Sequence, residues 1–209
     1  MPDATVILVD HPIIRTKLTE LRDTKTDHRE FRGLLDEIAM LMTYEVTRDF
    51  PTRQTRVQTP LEETVGYELA RKVTLVPVLR AGLGMSDGVL AILTDARMGH
   101  LGLYRNEATL EPVPYYQKLP PDIAQTEVLV IDPMLATGGS AVAAISFLKK
   151  AGVTNLRFVC LVAAPEGIKA LHARHADVPI YCAAIDRQLN EKGYILPGLG
   201  DAGDRVFGT

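Results

Sequence analysis

Asp132 closes an apolar run, and a small, hydroxyl-bearing, glycine-rich loop follows it: Val128-Leu-Val-Ile-Asp-Pro-Met-Leu-Ala-Thr-Gly-Gly-Ser140. Each residue type there has a chemical use. Gly138 and Gly139 let the backbone turn sharply and approach a ligand closely. Thr137 and Ser140 add hydroxyls. Val142, Ile145 and Leu148 then recur at helical spacing, with Lys149 and Lys150 in the last turn and Gly152 just past it. A helix starting after the loop would offer free N–H groups and the positive end of its dipole, a good seat for a phosphate. Asp132 would repel a phosphate at close range, so it faces sugar hydroxyls or a metal. A phosphate on the loop and a ribose on the acid describe a phosphorylated sugar. The plain alternative is a buried strand, a tight turn and a packed helix.

The elements that must position this unit are legible on both sides of it. Val128–Ile131 is continuously apolar, as a strand covered on both faces requires. Val73–Leu79 is a second such strand, with Pro77 marking an irregularity near its end. Arg80-Ala-Gly-Leu-Gly follows it, and then an apolar segment to Leu93 that suits a helix. Met98–Tyr104, Asn155–Val162 and Ile180–Ala184 read as further strands, and Glu166–His175 as a helix. Strands alternating with helices favour a mostly parallel sheet, whose ligands bind beyond the C-terminal strand ends. Arg105–Lys118 is polar and proline-containing, which suits a long hairpin or mobile loop.

Upstream, Thr5–Val9 suits a short strand and Pro12 begins a helix to about Leu21. Asp27 with Glu30 three residues later starts an amphipathic helix carrying Phe31, Leu34, Leu35, Ile38, Met42 and Val46. Thr52–Thr59 reads as an exposed strand or flap, while 61–69 fits helix and strand equally. The tail from Gly193 to Thr209 shows little scope for regular structure. It is expected to pack back on the domain, with Gly200, Ala202 and Gly203 leaving their backbone groups accessible. The chain is thus one domain: a core of about 70–187, an N-terminal arm of about 1–69 and a C-terminal segment of about 188–209.

Composition narrows the partners. The 209 residues are 46% hydrophobic and 23% charged, with a net charge of −3, which suits a soluble globular protein and carries no overall footprint for nucleic acid. No apolar run reaches the length of a membrane span, and no signal-peptide pattern opens the chain. Cys160 and Cys182 lie in apolar runs, as buried thiols of a reducing compartment, and a cytoplasmic location follows as the default. Gly198–Gly203 matches G-x-G-x-x-G in letters, but no helical pattern follows it, so it is not a dinucleotide fingerprint. The five histidines show no metal spacing, and His172 and His175 suit a solvated helix face.

Val-Ile-Asp-Pro-Met-Leu-Ala-Thr-Gly-Gly-Ser resembles the phosphoribosyl diphosphate motif of type I phosphoribosyltransferases. Pro133 replaces the second acid of the general pattern, as in the uracil phosphoribosyltransferases. The resemblance extends through Val-Leu-Arg-Ala-Gly-Leu-Gly-Met, Tyr-Arg-Asn-Glu, Leu-Glu-Pro-Val-Pro-Tyr, Val-Ala-Ala-Pro-Glu-Gly and Gly-Tyr-Ile-Leu-Pro-Gly-Leu-Gly-Asp-Ala-Gly-Asp-Arg. It implies that family's fold, with an N-terminal helical arm, a flexible hairpin and a C-terminal hood. It implies transfer of a phosphoribosyl group from 5-phospho-α-D-ribose 1-diphosphate to uracil, giving UMP and diphosphate. Arg80, Ala81, Gly82 and Arg105 would meet the diphosphate. Asp132 would bind the ribose, with Pro133, Met134 and Leu135 leading into the phosphate loop Ala136, Thr137, Gly138, Gly139 and Ser140. Ile195, Gly200, Asp201 and Ala202 would read uracil. Asp201 would also lie near the diphosphate and its Mg²⁺, as a candidate proton acceptor. Arg80, Arg105 and Asp201 are the catalytic candidates. Activation by GTP and a homodimer or larger assembly are further family traits. A purine enzyme would need a wider base pocket than this tail suggests. An RNA-binding regulator would want a basic face with stacking aromatics, and the chain is acidic and lacks Trp.

Overall fold

The computed structural model describes residues 5–105 and 112–209. In chain order the elements are β1 (Val6–Leu8), α1 (Pro12–Arg22), α2 (His28–Val46), β2 (Thr52–Gln58), β3 (Glu63–Leu69) and β4 (Val73–Leu79). A 3₁₀ turn (Ala81–Met85) leads into α3 (Ser86–Ile92), β5 (Arg97–Met98), β6 (His100–Arg105) and β7 (Pro112–Lys118). The second half comprises β8 (Glu127–Ile131), β9 (Met134–Leu135), α4 (Gly139–Lys150), β10 (Leu156–Ala163), α5 (Pro165–Arg174) and β11 (Ile180–Ile185), followed by β12 (Gln188–Leu189), β13 (Ile195–Leu196) and α6 (Ala202–Phe207).

The central sheet runs β1-β11-β10-β8-β4-β6-β7, with β5 beside β4 and β9 beside β10. Only the β6–β7 pair is antiparallel within it. Successive residues of one strand feed opposite cores, which is why these strands read as unbroken apolar runs. Leu75, Leu129 and Val159 pack into one core with Phe31, Leu35 and Ile38 of α2. Val76, Val130 and Cys160 pack into the other with Ala144, Ile145 and Leu148 of α4. After β4 the chain moves toward β6; after β8 it moves toward β10. The crevice between the C-terminal ends of β4 and β8 is therefore a topological switch point, where open α/β sheets take ligands.

Local signals account for the helices. Asp27 caps α2, accepting from the N–H groups of Arg29 at 2.8 Å and Glu30 at 2.9 Å. Pro12 and Pro165 occupy first turns, where a missing N–H costs nothing. The ambiguous 61–69 segment contains β3, which pairs only with β2; both strands are exposed along nearly their whole length.

Two expectations are corrected. The tail is more regular than its composition suggested, because β12 pairs with β13 and Asp201 caps α6. His175 is buried rather than solvated, and its Nε2 lies 2.8 Å from the Ser146 hydroxyl; Nε2 of His172 is buried without a hydrogen-bond partner. Packing of α5 against α4 overrides the polar character of those rings. Cys160 and Cys182 are both buried and free, and burial pushes the Cys182 thiol up to about 12. Among the described residues no helix is long and apolar enough to cross a membrane.

Candidate active site

Asp132 leaves the sheet at the end of β8 while its N–H still donates to Val159 O at 3.1 Å. Pro133 breaks the ladder, since it has no N–H to give. Its carbonyl instead accepts from Leu161 and Val162 of β10, at 3.0 and 3.1 Å. Met134 and Leu135 then rejoin β10 as β9. Beside the interruption Asp132 borders a recess of about 90 Å³, lined otherwise by residues from Met134 to Ala141. Burial raises its carboxyl to about 7, against a smaller opposing pull from the Met134 N–H that it accepts.

Gly138 stands at φ +82 as the N-cap of α4, with no side chain capping the helix. A Cβ on Gly138 would meet Gly167 O at 2.9 Å. On Gly139 it would find only Thr137 Oγ1, at 3.8 Å. The crowded glycine makes the turn and the open one gives access. With Thr137 and Ser140 exposed beside them, the first N–H groups of α4 form a cradle for an anion.

Three other segments converge on this recess. The turn after β4 presses against the end of β8, where a Cβ on Gly82 would lie 2.5 Å from Ile131 O, the carbonyl just before Asp132. Only glycine permits that approach, and it carries Arg80 and Ala81 to the switch point. Gly193 comes up beside the glycine-rich loop, its Cβ position 3.4 Å from Thr137 Cγ2. Gly203 comes up beside the turn after β4, its Cβ position 4.0 Å from the Ala81 methyl. The Arg80 guanidinium stays 59% exposed, 3.8 Å from Asp204 and 5.6 Å from the Phe207 ring centre. It is an exposed cation at the rim rather than one locked in a tight pair.

In the tail, the Ile195 side chain is buried in the core, as are those of Leu199 and Ala202. What this segment can present to a ligand is therefore mainly backbone. Gly198 and Gly200 stand at φ +64 and +74, the left-handed turns that reverse the chain before α6. Asp201 is exposed, and its Oδ1 accepts the Asp204 N–H at 3.0 Å. Asp201→Asn would preserve that cap; Asp201→Ala would not.

Among the described residues no three His, Cys, Asp or Glu side chains cluster as a metal site. Arg105 ends β6, opposite Pro112; its side chain and residues 106–111 lie outside what the structure describes. Sequence reasoning missed Arg22, Asp186 and Arg205, which hold the tail from beneath. Arg22 looks like an ordinary last-turn arginine of α1, and no spacing links it to residues more than 160 positions away.

A family model for uracil phosphoribosyltransferase matches residues 7–209. The chain is 60% identical over 205 residues to the uracil phosphoribosyltransferase of Dictyoglomus turgidum, covering 98% of this chain and 99% of that one. It is 57% identical over 203 residues to that of Streptococcus pneumoniae strain R6, covering 97% of each. The solved structure of the AQ2163 protein from Aquifex aeolicus superposes with a TM-score of 0.92 at 36% identity, over 97% of this chain and 98% of that one. A hypoxanthine-guanine phosphoribosyltransferase of Bacillus anthracis shares the fold alone, with a TM-score of 0.53 at 14% identity over 76% of this chain and 80% of that one.

Proposed function

The chain belongs to the uracil phosphoribosyltransferase family, and we propose that its recess transfers the phosphoribosyl group of 5-phospho-α-D-ribose 1-diphosphate to uracil, giving UMP and diphosphate. The observation that carries this reading is the convergence of four segments at one sheet edge. The Arg80–Gly82 turn abuts β8 at Ile131, the tail meets that turn at Ala81 and the cradle at Thr137, and Asp132 shares a recess with the cradle. Asp132 accepts hydrogen bonds from the ribose hydroxyls. The α4 N-terminus, with Thr137 and Ser140, holds the 5′-phosphate. Arg80 and the Ala81–Gly82 backbone hold the diphosphate, and Arg105 reaches it from the hairpin. Ile195, Gly200 and Ala202 read uracil through backbone groups, since their side chains are buried, absent or small.

In the reaction the bond from the ribose C1 to the diphosphate oxygen breaks, and its electron pair leaves with diphosphate. The ribose passes through an oxocarbenium-like state, and a uracil ring nitrogen bonds C1 as it gives up its proton. Arg80 and Arg105 stabilise the charge that gathers on the leaving group. Mg²⁺ carried on the diphosphate would add further charge neutralisation. Asp201 is the proposed proton acceptor. Water would capture the same intermediate, so closure of the β6–β7 hairpin over the site protects it. Arg105→Ala should lower kcat more than it raises the uracil KM; the opposite split would remove the lid role.

The decisive assay supplies the sugar diphosphate and Mg²⁺ with uracil, cytosine, adenine, guanine or hypoxanthine in turn. UMP should form with uracil, and no nucleotide with the purines. Absence of UMP across pH 6–9, with and without GTP, would refute the assignment. The same assay with EDTA tests the metal, and at low sugar diphosphate it tests GTP activation.

The β2–β3 hairpin supports a homodimer or higher oligomer. It exposes Val57, Val65, Tyr67 and Leu61, the last 94% exposed, and a lone two-stranded hairpin is at best marginally stable in water. The hairpin is therefore proposed to lie on a second copy of the chain, to be tested by light scattering of wild type and Leu61→Asp/Tyr67→Asp. A cytoplasmic location completes the reading.

A further inference from the structure

The base-reading loop has little structure of its own. Its two-residue ladder, β12 with β13, ends at Leu196, and α6 begins only at Ala202. Between them the chain reverses through Gly198 and Gly200. A site that recognises its ligand through backbone N–H and C=O groups needs those peptides fixed to a fraction of an ångström. Something outside the loop must fix them.

That support comes from the other end of the chain. The Asp186 carboxylate, just past β11, accepts the Gly198 N–H at 2.8 Å. It is also paired in fork geometry with Arg22, with Nη1 to Oδ2 at 2.8 Å and Nη2 to Oδ1 at 2.7 Å. The same Arg22 Nη1 donates to Gly198 O at 2.8 Å. One ion pair thus holds both polar groups of Gly198. The pair is well shielded, with the Arg22 and Asp186 side chains 23% and 6% exposed. Arg205 makes a second brace one residue on. Its Nη1 donates to Leu199 O at 3.1 Å and to Leu21 O at 2.8 Å, and its Nη2 to Asp23 O at 2.7 Å. Its guanidinium lies over the Phe31 ring at 4.3 Å. Both braces tie the loop to one place, the C-terminal end of α1.

We propose that Arg22 and Asp186 are positioning residues for the base: their ion pair sets the Gly198 peptide, and through it the uracil-reading backbone at Gly200–Ala202. This rests on the assignment of the tail to uracil. The N-terminal arm is then part of the specificity apparatus, although none of its residues need touch the base. Lysine at position 22 would keep the charge, but it has no fork to span Asp186 and the Gly198 carbonyl together.

The test is steady-state kinetics of Arg22→Met, Arg22→Lys and Asp186→Asn, with circular dichroism and Tm recorded alongside. Arg22→Met should raise the uracil KM roughly tenfold to a hundredfold, the range expected for losing charge-assisted hydrogen bonds. Its KM for the sugar diphosphate should stay within about twofold, because the cradle and Asp132 are built on other strands. Arg22→Lys should fall between it and the wild type, and this variant decides the matter if Arg22→Met does not fold. A folded Arg22→Lys or Asp186→Asn with wild-type uracil KM overturns the proposal. So does an equal change in both KM values, which would mark a merely structural role. Gly200→Ala, measured in parallel, separates the two assumptions, because a methyl at its φ of +74 strains the very peptides assigned to the base. If it leaves the uracil KM unchanged, the assignment of the tail to the base fails. If it raises that KM while the Arg22 and Asp186 variants do not, only the positioning role fails.

Discussion

The two edges of the sheet differ in a way that size alone would misread. At the N-terminal strand ends lies a hollow of about 940 Å³, bordered by Arg53, Glu68, Arg71, Lys72, Arg97 and Asp122 among others. At the C-terminal ends the recess beside Asp132 holds about 90 Å³. Around the large hollow Arg53 pairs with Glu68 at 2.7 Å, Arg97 Nη1 with Asp122 at 2.6 Å and Arg71 with Glu127 at 3.3 Å, while Arg97 Nε and Nη2 are buried without a partner. The small recess combines an uncapped helix N-terminus, exposed hydroxyls and a carboxylate held up near 7 by burial. What sets the small recess apart is an acid, two hydroxyls and free helix N–H groups gathered in one place, not volume.

Substitutions can break or sharpen this contrast. Gly82→Ala should have the largest effect. Its methyl would sit 2.5 Å from Ile131 O, so the Arg80 turn must lift off β8. Activity should fall at least about a hundredfold, the scale of a misplaced reacting group. Near-wild-type turnover in a folded Gly82→Ala protein would show that the β4–β8 crevice is not the reaction site. Asp132→Asn should come next, lowering turnover roughly tenfold to a hundredfold by weakening charged hydrogen bonds to the ribose.

The same variant should gain stability. An Asp that ionises at 3.8 in the unfolded chain holds its proton to about 7 when folded. Between those values the unfolded chain binds fewer protons, so folding stability falls as pH rises from about 4 to 7 and stays low above. Asp132→Asn should remove that loss and raise the ligand-free Tm at pH 8 by about 2–4 °C for each kcal/mol recovered. A Tm equal to or below the wild type across pH 5–8 would contradict the burial argument. The smallest effect is expected in the large hollow. Arg97→Gln or Asp122→Asn should leave kcat/KM within about twofold; a greater loss would make that hollow part of the working site.

Much of this was legible before any coordinates. The strand, acid, loop and helix from Val128 to Gly152 follow from apolar runs, glycine placement and helix-stop residues, because these are local effects. So does the Asp27 cap. The tail is less legible: its composition hides α6 and gives no sign that Asp201 caps that helix. His172 and His175, in and just after α5, suit a solvated face in sequence, but their burial depends on α4, which no local pattern reports. Arg22, Asp186 and Arg205 carried no signal, since an arginine's partner is decided by which segments fold beside it.

The sequence by itself determined the class of sheet, the acid at the end of its strand and the anion cradle after it, because periodicity and glycine placement act over a few residues. Only the tertiary structure decided that the Arg80 turn abuts Asp132, that Gly193 and Gly203 bring the tail to the same edge, and that the end of α1 fixes the base-reading loop. Those contacts join residues far apart in the chain. They depend on how closely two backbones can approach and on which charges are shut away from water together, and neither is written in local spacing.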